Sequence, residues 1–407
     1  MLSHRLRVAA LLALTAAMAT GCGATVQGST HPGEIDVRTL DVGTYSTDPL
    51  EMRYEYYPDM SKGFELAEQR LADHVVNAAD VDPEFKYSTG VHAFKDSDGA
   101  TTVLAKVTAP ILDTAKLMFG VAVGHSVKQP DAFGKTPDDS PFTTVTVMQF
   151  PDAATASKAA VDLENADFGV AADVNQHVSL SKYPDAHSHW RPGVASIGST
   201  LAHGNYVVDT YLGVRDPDLS KLTALAEKVY DAQVPLLDSL PPLDREGVLR
   251  LPFDADGMLR RTLATQVYFA PDFTNQAVAE PRGFLNRVSD QDFWRGAVTD
   301  SGMDRFATSG ASYDGISMLF RTRDAQAAER LSAAVLERGY SGVADAPPGV
   351  PNAKCGQTSD KNRSIGAKRF RCMVSYRRYT AAVESNQLAD AHQRAAAQYA
   401  LLANSTW

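Results

Sequence analysis

Cysteine is scarce in this 407-residue chain: only Cys22, Cys355 and Cys372 are present, and no two stand at C-x-x-C spacing. That scarcity excludes a disulfide-stapled miniprotein and leaves a zinc ribbon or dithiol centre without sequence support. A cationic surplus is also missing. Lys and Arg number 39 against 49 Asp and Glu, a formal net charge of −10, which argues against nucleic acid as a partner because phosphate recognition needs clustered positive charge. No apolar run reaches the ~20 residues of a spanning helix. G-x-S-x-G, H-E-x-x-H, P-loop and G-x-G-x-x-G spacings are absent, so four common mechanisms lose their sequence support. What remains is globular composition, 44% apolar and 22% charged, in a chain long enough for two domains.

The N-terminus carries an address. His4, Arg5 and Arg7 precede the short apolar run Val8–Ala19, the layout of a cleavable export signal over residues 1–21. Ala19-Thr20-Gly21-Cys22 resembles a bacterial lipobox, in which Cys22 would receive lipid, palmitate included, and become the mature N-terminus. Ala17-Met18-Ala19 is an alternative cleavage site that would release a soluble protein. The expectation is an extracytoplasmic protein held to the cell membrane by lipid, with residues 22–33 as a flexible tether. With Cys22 so assigned, Cys355 and Cys372 are left to form a structural disulfide, worth about 3 kcal/mol in the chain-entropy account.

The body reads as one plan used twice. Thr143–Phe150 is β-branched and strand-like, Asp152 can cap a following helix, and Ala156, Ala160 and Leu163 share one helical face. Gly315–Thr322, Asp324 and Ala328, Leu331 and Val335 repeat that order. Later, Ala232-Gln233-Val234-Pro235-Leu236-Leu237 is matched by Ala397-Gln398-Tyr399-Ala400-Leu401-Leu402. The expected fold is α+β: two related domains, 34–238 and 247–407, joined by a Pro-bearing linker at 239–246, each an antiparallel sheet covered by helices. The first domain is longer by a loop-rich stretch around 95–140, within which Thr101–Val107 is β-like and Pro110–Val123 is helix-like.

Candidate chemistry is thin. Ser179–Lys182 matches S-x-x-K, but Tyr183-Pro184 follows at once and the companion motifs are absent. His187 and His189, in a loop-like stretch between prolines, would point to one side if extended and are the candidate metal ligands, although no third or fourth ligand is evident. No catalytic residue and no cofactor is assigned. Two function classes follow: a non-enzymatic envelope protein that binds a lipid-like ligand or a protein partner, or a metal-dependent envelope hydrolase using His187 and His189. A structural envelope scaffold is the third.

The lipobox, Glu34–Gly43, Arg70–Val76, Tyr183–Ala186, Cys372–Tyr379 and Ala397-Gln398-Tyr399 resemble an uncharacterised family of actinobacterial two-domain envelope lipoproteins. The resemblance implies location and not activity. The paired Cys beside a Tyr-rich strand and a terminal helix is also distantly similar to extracellular sensor domains of mycobacterial kinases.

Overall fold

The computed structural model describes residues 34–49, 56–131, 135–254, 256–265, 270–311, 314–358 and 367–405. Cys22 and the segments expected to be an export signal (1–21) and a tether (22–33) lie outside these residues, and the compact body begins at Val37. Among the described residues no helix is long and apolar enough to cross a membrane.

Two seven-stranded antiparallel sheets form the body. The first uses β1 (Tyr87–Phe94), β2 (Phe119–Ser126), β3 (Phe142–Gln149), β4 (Gln176–Val178), β5 (His187–Trp190), β6 (Ser196–His203) and β7 (Tyr206–Gly213), in the spatial order β1-β2-β3-β7-β6-β5-β4. The second uses β8 (Gln276–Ala279), β9 (Arg305–Ala311), β10 (Gly315–Arg321), β11 (Gly342–Ala344), β12 (Lys354–Gln357), β13 (Phe370–Tyr376) and β14 (Tyr379–Ser385), ordered β8-β9-β10-β14-β13-β12-β11. Strand for strand this is the same path, so the expected duplication and α+β class are present in the topology.

Among the described residues, the helices of seven residues or more are α1 (Met60–Ala72), α2 (Ala153–Gly169), α3 (Leu219–Asp238), α4 (Pro281–Arg287), α5 (Gln291–Ser301), α6 (Ala325–Glu337) and α7 (Leu388–Asn404). In both halves the third strand leads into an Asp-capped helix: Asp152 accepts from Thr155 N and Asp324 from Ala327 N. In both, the last hairpin leads into a long closing helix. The first sheet is buried on both faces. Val121, Val145 and Val208 join the α3 residues Leu222 and Val229 in one core, whereas Met148, Phe150 and Val207 meet Ala156, Ala160 and Leu163 of α2 in another. Alanines at the α2 contact let the helix lie close against the strands.

Each closing helix carries a fully buried glutamine that clamps the chain entering its domain. Gln233 of α3 accepts from Val76 N at 2.8 Å and donates to His74 O at 2.8 Å. Gln398 of α7 accepts from Leu263 N at 2.8 Å and donates to Arg261 O at 2.7 Å. An amide supplies one donor and one acceptor from the same planar group, which matches a backbone N–H and C=O two residues apart.

The halves meet along a polar seam. Gln69 of α1 donates to Gln276 O, and Asp73 accepts from Glu280 N at 2.9 Å. Asn286 of α4 donates to Val75 O at 3.0 Å, and Asn77 donates to Asn286 Oδ1 at 2.9 Å. Gly283 permits this approach, because a Cβ there would lie 2.0 Å from Asp73 Oδ1. His125, buried in the seam beside Asn77, has its pKa pushed down to about 4, first by desolvation and then by the Arg295 charge.

The 95–140 stretch departs from the sequence reading. Thr101–Leu104 forms turns, followed by a 3-10 helix at Lys106–Thr108, rather than a strand, since Asp96 caps Gly99 N and the Thr101 and Thr102 hydroxyls bond the Asp98 and Gly99 carbonyls. Such local side-chain bonds compete with extended structure. The helix begun near Pro110 ends at Thr114, followed by Lys116 at φ 55°, and β2 starts at Phe119.

Gln398→Ala is expected to cost about 2–4 kcal/mol, because it strands a buried N–H and a buried C=O together. Gln233→Ala should cost a similar amount. Urea unfolding of each variant measures this, and a change below ~0.5 kcal/mol would contradict the clamp.

Candidate functional site

The first sheet opens a cavity of about 450 Å³ beneath α2. Its floor follows from strand register. His189 on β5 lies opposite Gly198 on β6, and Gly198 lies opposite Tyr211 on β7; one step along, Thr200 lies opposite Asp209. Side chains two apart on a strand share a face, so His189, Thr200, Asp209 and Tyr211 all look toward α2. From α2, Glu164 and Asp167 descend to meet them. His189 Nδ1 is 2.8 Å from Glu164 Oε1, and its Nε2 is 3.8 Å from Asp167 Oδ2. Thr200 Oγ1 donates to Asp209 Oδ2 at 2.9 Å.

Gly198 is the position that leaves room for the imidazole above β6. A Cβ there would stand 2.9 Å from His189 Cε1. Phe168 of α2 meets His189 edge-on and stacks on His177, directly across from His189 on β4. Val103, Leu104 and Ala105, in the turns that replaced the expected strand, form the opposite wall.

Electrostatically the floor is acidic. Desolvation pushes the Asp209 carboxyl up to about 7, with Asp167 and Glu164 adding to the rise against the Thr200 bond and His189. Burial also raises Glu164, opposed by the bond to His189. Burial pulls His189 down, but the Glu164 bond and the carboxylates of Glu164, Asp167 and Asp209 outweigh it, and its pKa is raised. The rim is apolar: Val170 is 63% exposed, Tyr211 53% and Val103 36%. A pocket with carboxylates below and hydrocarbon at its mouth can hold a donor-rich or cationic head with an apolar flank.

The second half does not repeat this arrangement. The hairpin pairs His203–Tyr206 and Tyr376–Tyr379 correspond, and counting inward from them sets Arg371 at the place of Gly198, Glu384 at that of Tyr211, Ala382 at that of Asp209 and Gly356 at that of His189. There the space is taken by Tyr340, whose backbone oxygen would be 2.1 Å from a Cβ on Gly356 and whose hydroxyl donates to Lys368 O. Arg371 lies over the Tyr340 ring at 4.2 Å and binds Glu384 Oε1 through Nε at 2.8 Å. By the same count, the buried Ser188–Ser199 pair, Oγ to Oγ 2.7 Å, occupies the position of the Cys355–Cys372 disulfide.

His187 and His189 therefore lie on a strand rather than in a loop. They share a face, as an extended chain requires, but His187 is exposed while His189 is bound to Glu164. Among the described residues, the one trio of metal-competent side chains within ligating distance is Cys355, Cys372 and His392, and its two sulfurs are joined to each other. Ser181 and Lys182 bond Glu227 and Asp231 of α3, so the S-x-x-K match is a surface anchor. Glu164, Asp167, Asp209 and Tyr211 escaped the sequence reading. The available signal was Asp209 itself, a carboxylate interrupting the apolar strand Tyr206–Gly213.

A sequence model described as domain of unknown function (DUF7373), N-terminal, matches residues 54–253, and the corresponding C-terminal model matches 258–405. No curated protein matches the chain. Among solved structures, the extracellular domain of PknH from Mycobacterium tuberculosis is similar at 13% identity and a TM-score of 0.30, over 45% of this chain and 98% of that one.

Two outcomes are expected of this cluster. The Asp209 pKa lies above the ordinary 3.8, so its protonated form favours the fold fully below that value and the contribution fades as pH rises through about 7. Asp209→Asn should thus gain roughly 2–4 kcal/mol relative to the parent between pH 4 and pH 8, and parallel stability curves would refute it. Gly198→Ala should push the ring off Glu164 and lower the His189 pKa, as read by NMR titration.

Proposed function

Since this chain belongs to the DUF7373 family, whose description assigns no function, we propose from the pocket alone that it is a non-enzymatic binding protein for a lipid-like ligand. In this reading Cys22 carries the membrane-anchoring lipid, the body stands outside the cytoplasm, and the first domain receives the ligand. The observation that supports it is the contrast between duplicated domains. One keeps a cavity of about 450 Å³, whereas the equivalent place in the other is filled by Tyr340, Arg371 and Glu384.

The lining narrows the ligand's chemistry. Glu164, Asp167 and Asp209 repel phosphate and carboxylate heads and accept hydrogen bonds from hydroxyls or ammonium. Val103, Leu104 and Val170 offer a path for an acyl or other apolar portion. A neutral glycolipid or a cationic amphiphile fits better than an anionic phospholipid. His189 is engaged by Glu164, which supports a recognition role over that of a metal ligand.

Native mass spectrometry of the protein taken from its own membrane tests this reading. The expected result is an acylated Cys22 together with a reproducible noncovalent mass that disappears in Ala171→Trp, where the indole would fill the cavity. An unmodified chain starting at Thr20, with no bound mass, would reject it.

A further inference from the structure

A second cavity of about 380 Å³ lies where the two halves meet, between α1, β1 with the turn after it, and the segment Asp272–Thr274. Among the described residues four carboxylates line it, and three of them have work already. Glu65 accepts from Phe273 N at 3.0 Å and is 3.7 Å from Lys95 Nζ. Asp96 caps Gly99 N, and Asp272 accepts from Thr274 N and Asn275 N. Glu68 differs. It is 3% exposed, lines the cavity, and has no hydrogen-bond or ion-pair partner among the described residues. A buried carboxyl without a partner is costly in the folded state, so its presence at a cavity wall needs an explanation.

We propose that this cavity binds the primary ammonium of a small aliphatic amine, with Glu68 as the acceptor. An ammonium supplies three donors to a single carboxylate, Glu65, Asp96 and Asp272 add negative potential, and Val91, Phe94 and Phe273 flank the carbon chain. Lys95 is the opposing charge in the wall; its amine is held by Ser61 Oγ at 3.0 Å and by Glu65. His92 is turned to Gly99 O and Thr102 Oγ1. A divalent metal is the poorer occupant, because no three of these carboxylate and imidazole groups converge within ligating distance. Desolvation, with Glu65 adding, Lys95 opposing and Asp96 adding further, pushes the empty-site Glu68 up to about 8. Binding then ionises it: the carboxylic acid and the ammonium form a carboxylate–ammonium pair, and one proton passes to solvent.

Isothermal titration calorimetry of the full chain with 1,4-diaminobutane and with n-butylamine, at pH 7 in two buffers of different ionisation enthalpy, tests the site. The expected result is saturable binding with proton release, weakened at least about tenfold in Glu68→Gln and also in Val91→Trp, which fills the cavity while leaving Glu68 in place. Glu68→Gln removes a desolvated acid and should melt no lower than the parent. No binding of either amine at millimolar concentration, or undiminished binding in either variant, would overturn the proposal.

Discussion

A single side-chain amide, used once in each half, fixes how every domain of this molecule closes. Gln233 and Gln398 are buried on the long helices that finish their domains, and each satisfies one backbone N–H and one backbone C=O of the segment that enters the same domain. Leucine would satisfy neither group, and glutamate could accept but not donate when ionised. The first and last segments of each domain are thereby tied before any sheet contact is counted. With the helix held, its apolar stripe has one place to go, against the strands.

Built on that shared frame, the two domains have diverged in the strands that follow α2 and α6. Where the first has Ser188 and Ser199 joined by a hydrogen bond, the second has a covalent link between Cys355 and Cys372. Where the first leaves room above Gly198, the second sets Arg371 and lays Tyr340 against it. One copy has been filled and crosslinked, while the other keeps an acidic hollow and the unfavourable protonation energetics that come with buried carboxyls. Retained cost of that kind is expected at sites of function rather than in scaffolding.

Much of the frame was legible in the sequence because its causes are local. Asp152 and Asp324 cap their helices, alternating β-branched residues form the central strands, and the Ala-Gln repeat marks the closing helices. The site was less legible because its causes are topological. Glu164, His189 and Asp209 meet only because β5, β6 and β7 are neighbours beneath α2, which no spacing along the chain announces. His189 was singled out, but as half of a metal pair; its actual partner sits on a helix before it in sequence. The wall at Val103–Ala105 belongs to Thr101–Val107, which reads as β-like from Thr101, Thr102, Val103 and Val107, whereas hydroxyl and carboxylate bonds to nearby backbone decide its shape.

The seam between the halves has a bearing on how any occupant arrives. Asn77, Asn286, Gln69 and Asp73 bind across it through directional, buried contacts, and Gly283 brings the backbones too close for one domain to swing against the other without breaking several at once. Clamshell capture, in which two lobes hinge shut around cargo, would have to break these buried bonds. An occupant that enters either cavity without parting the halves leaves those bonds intact.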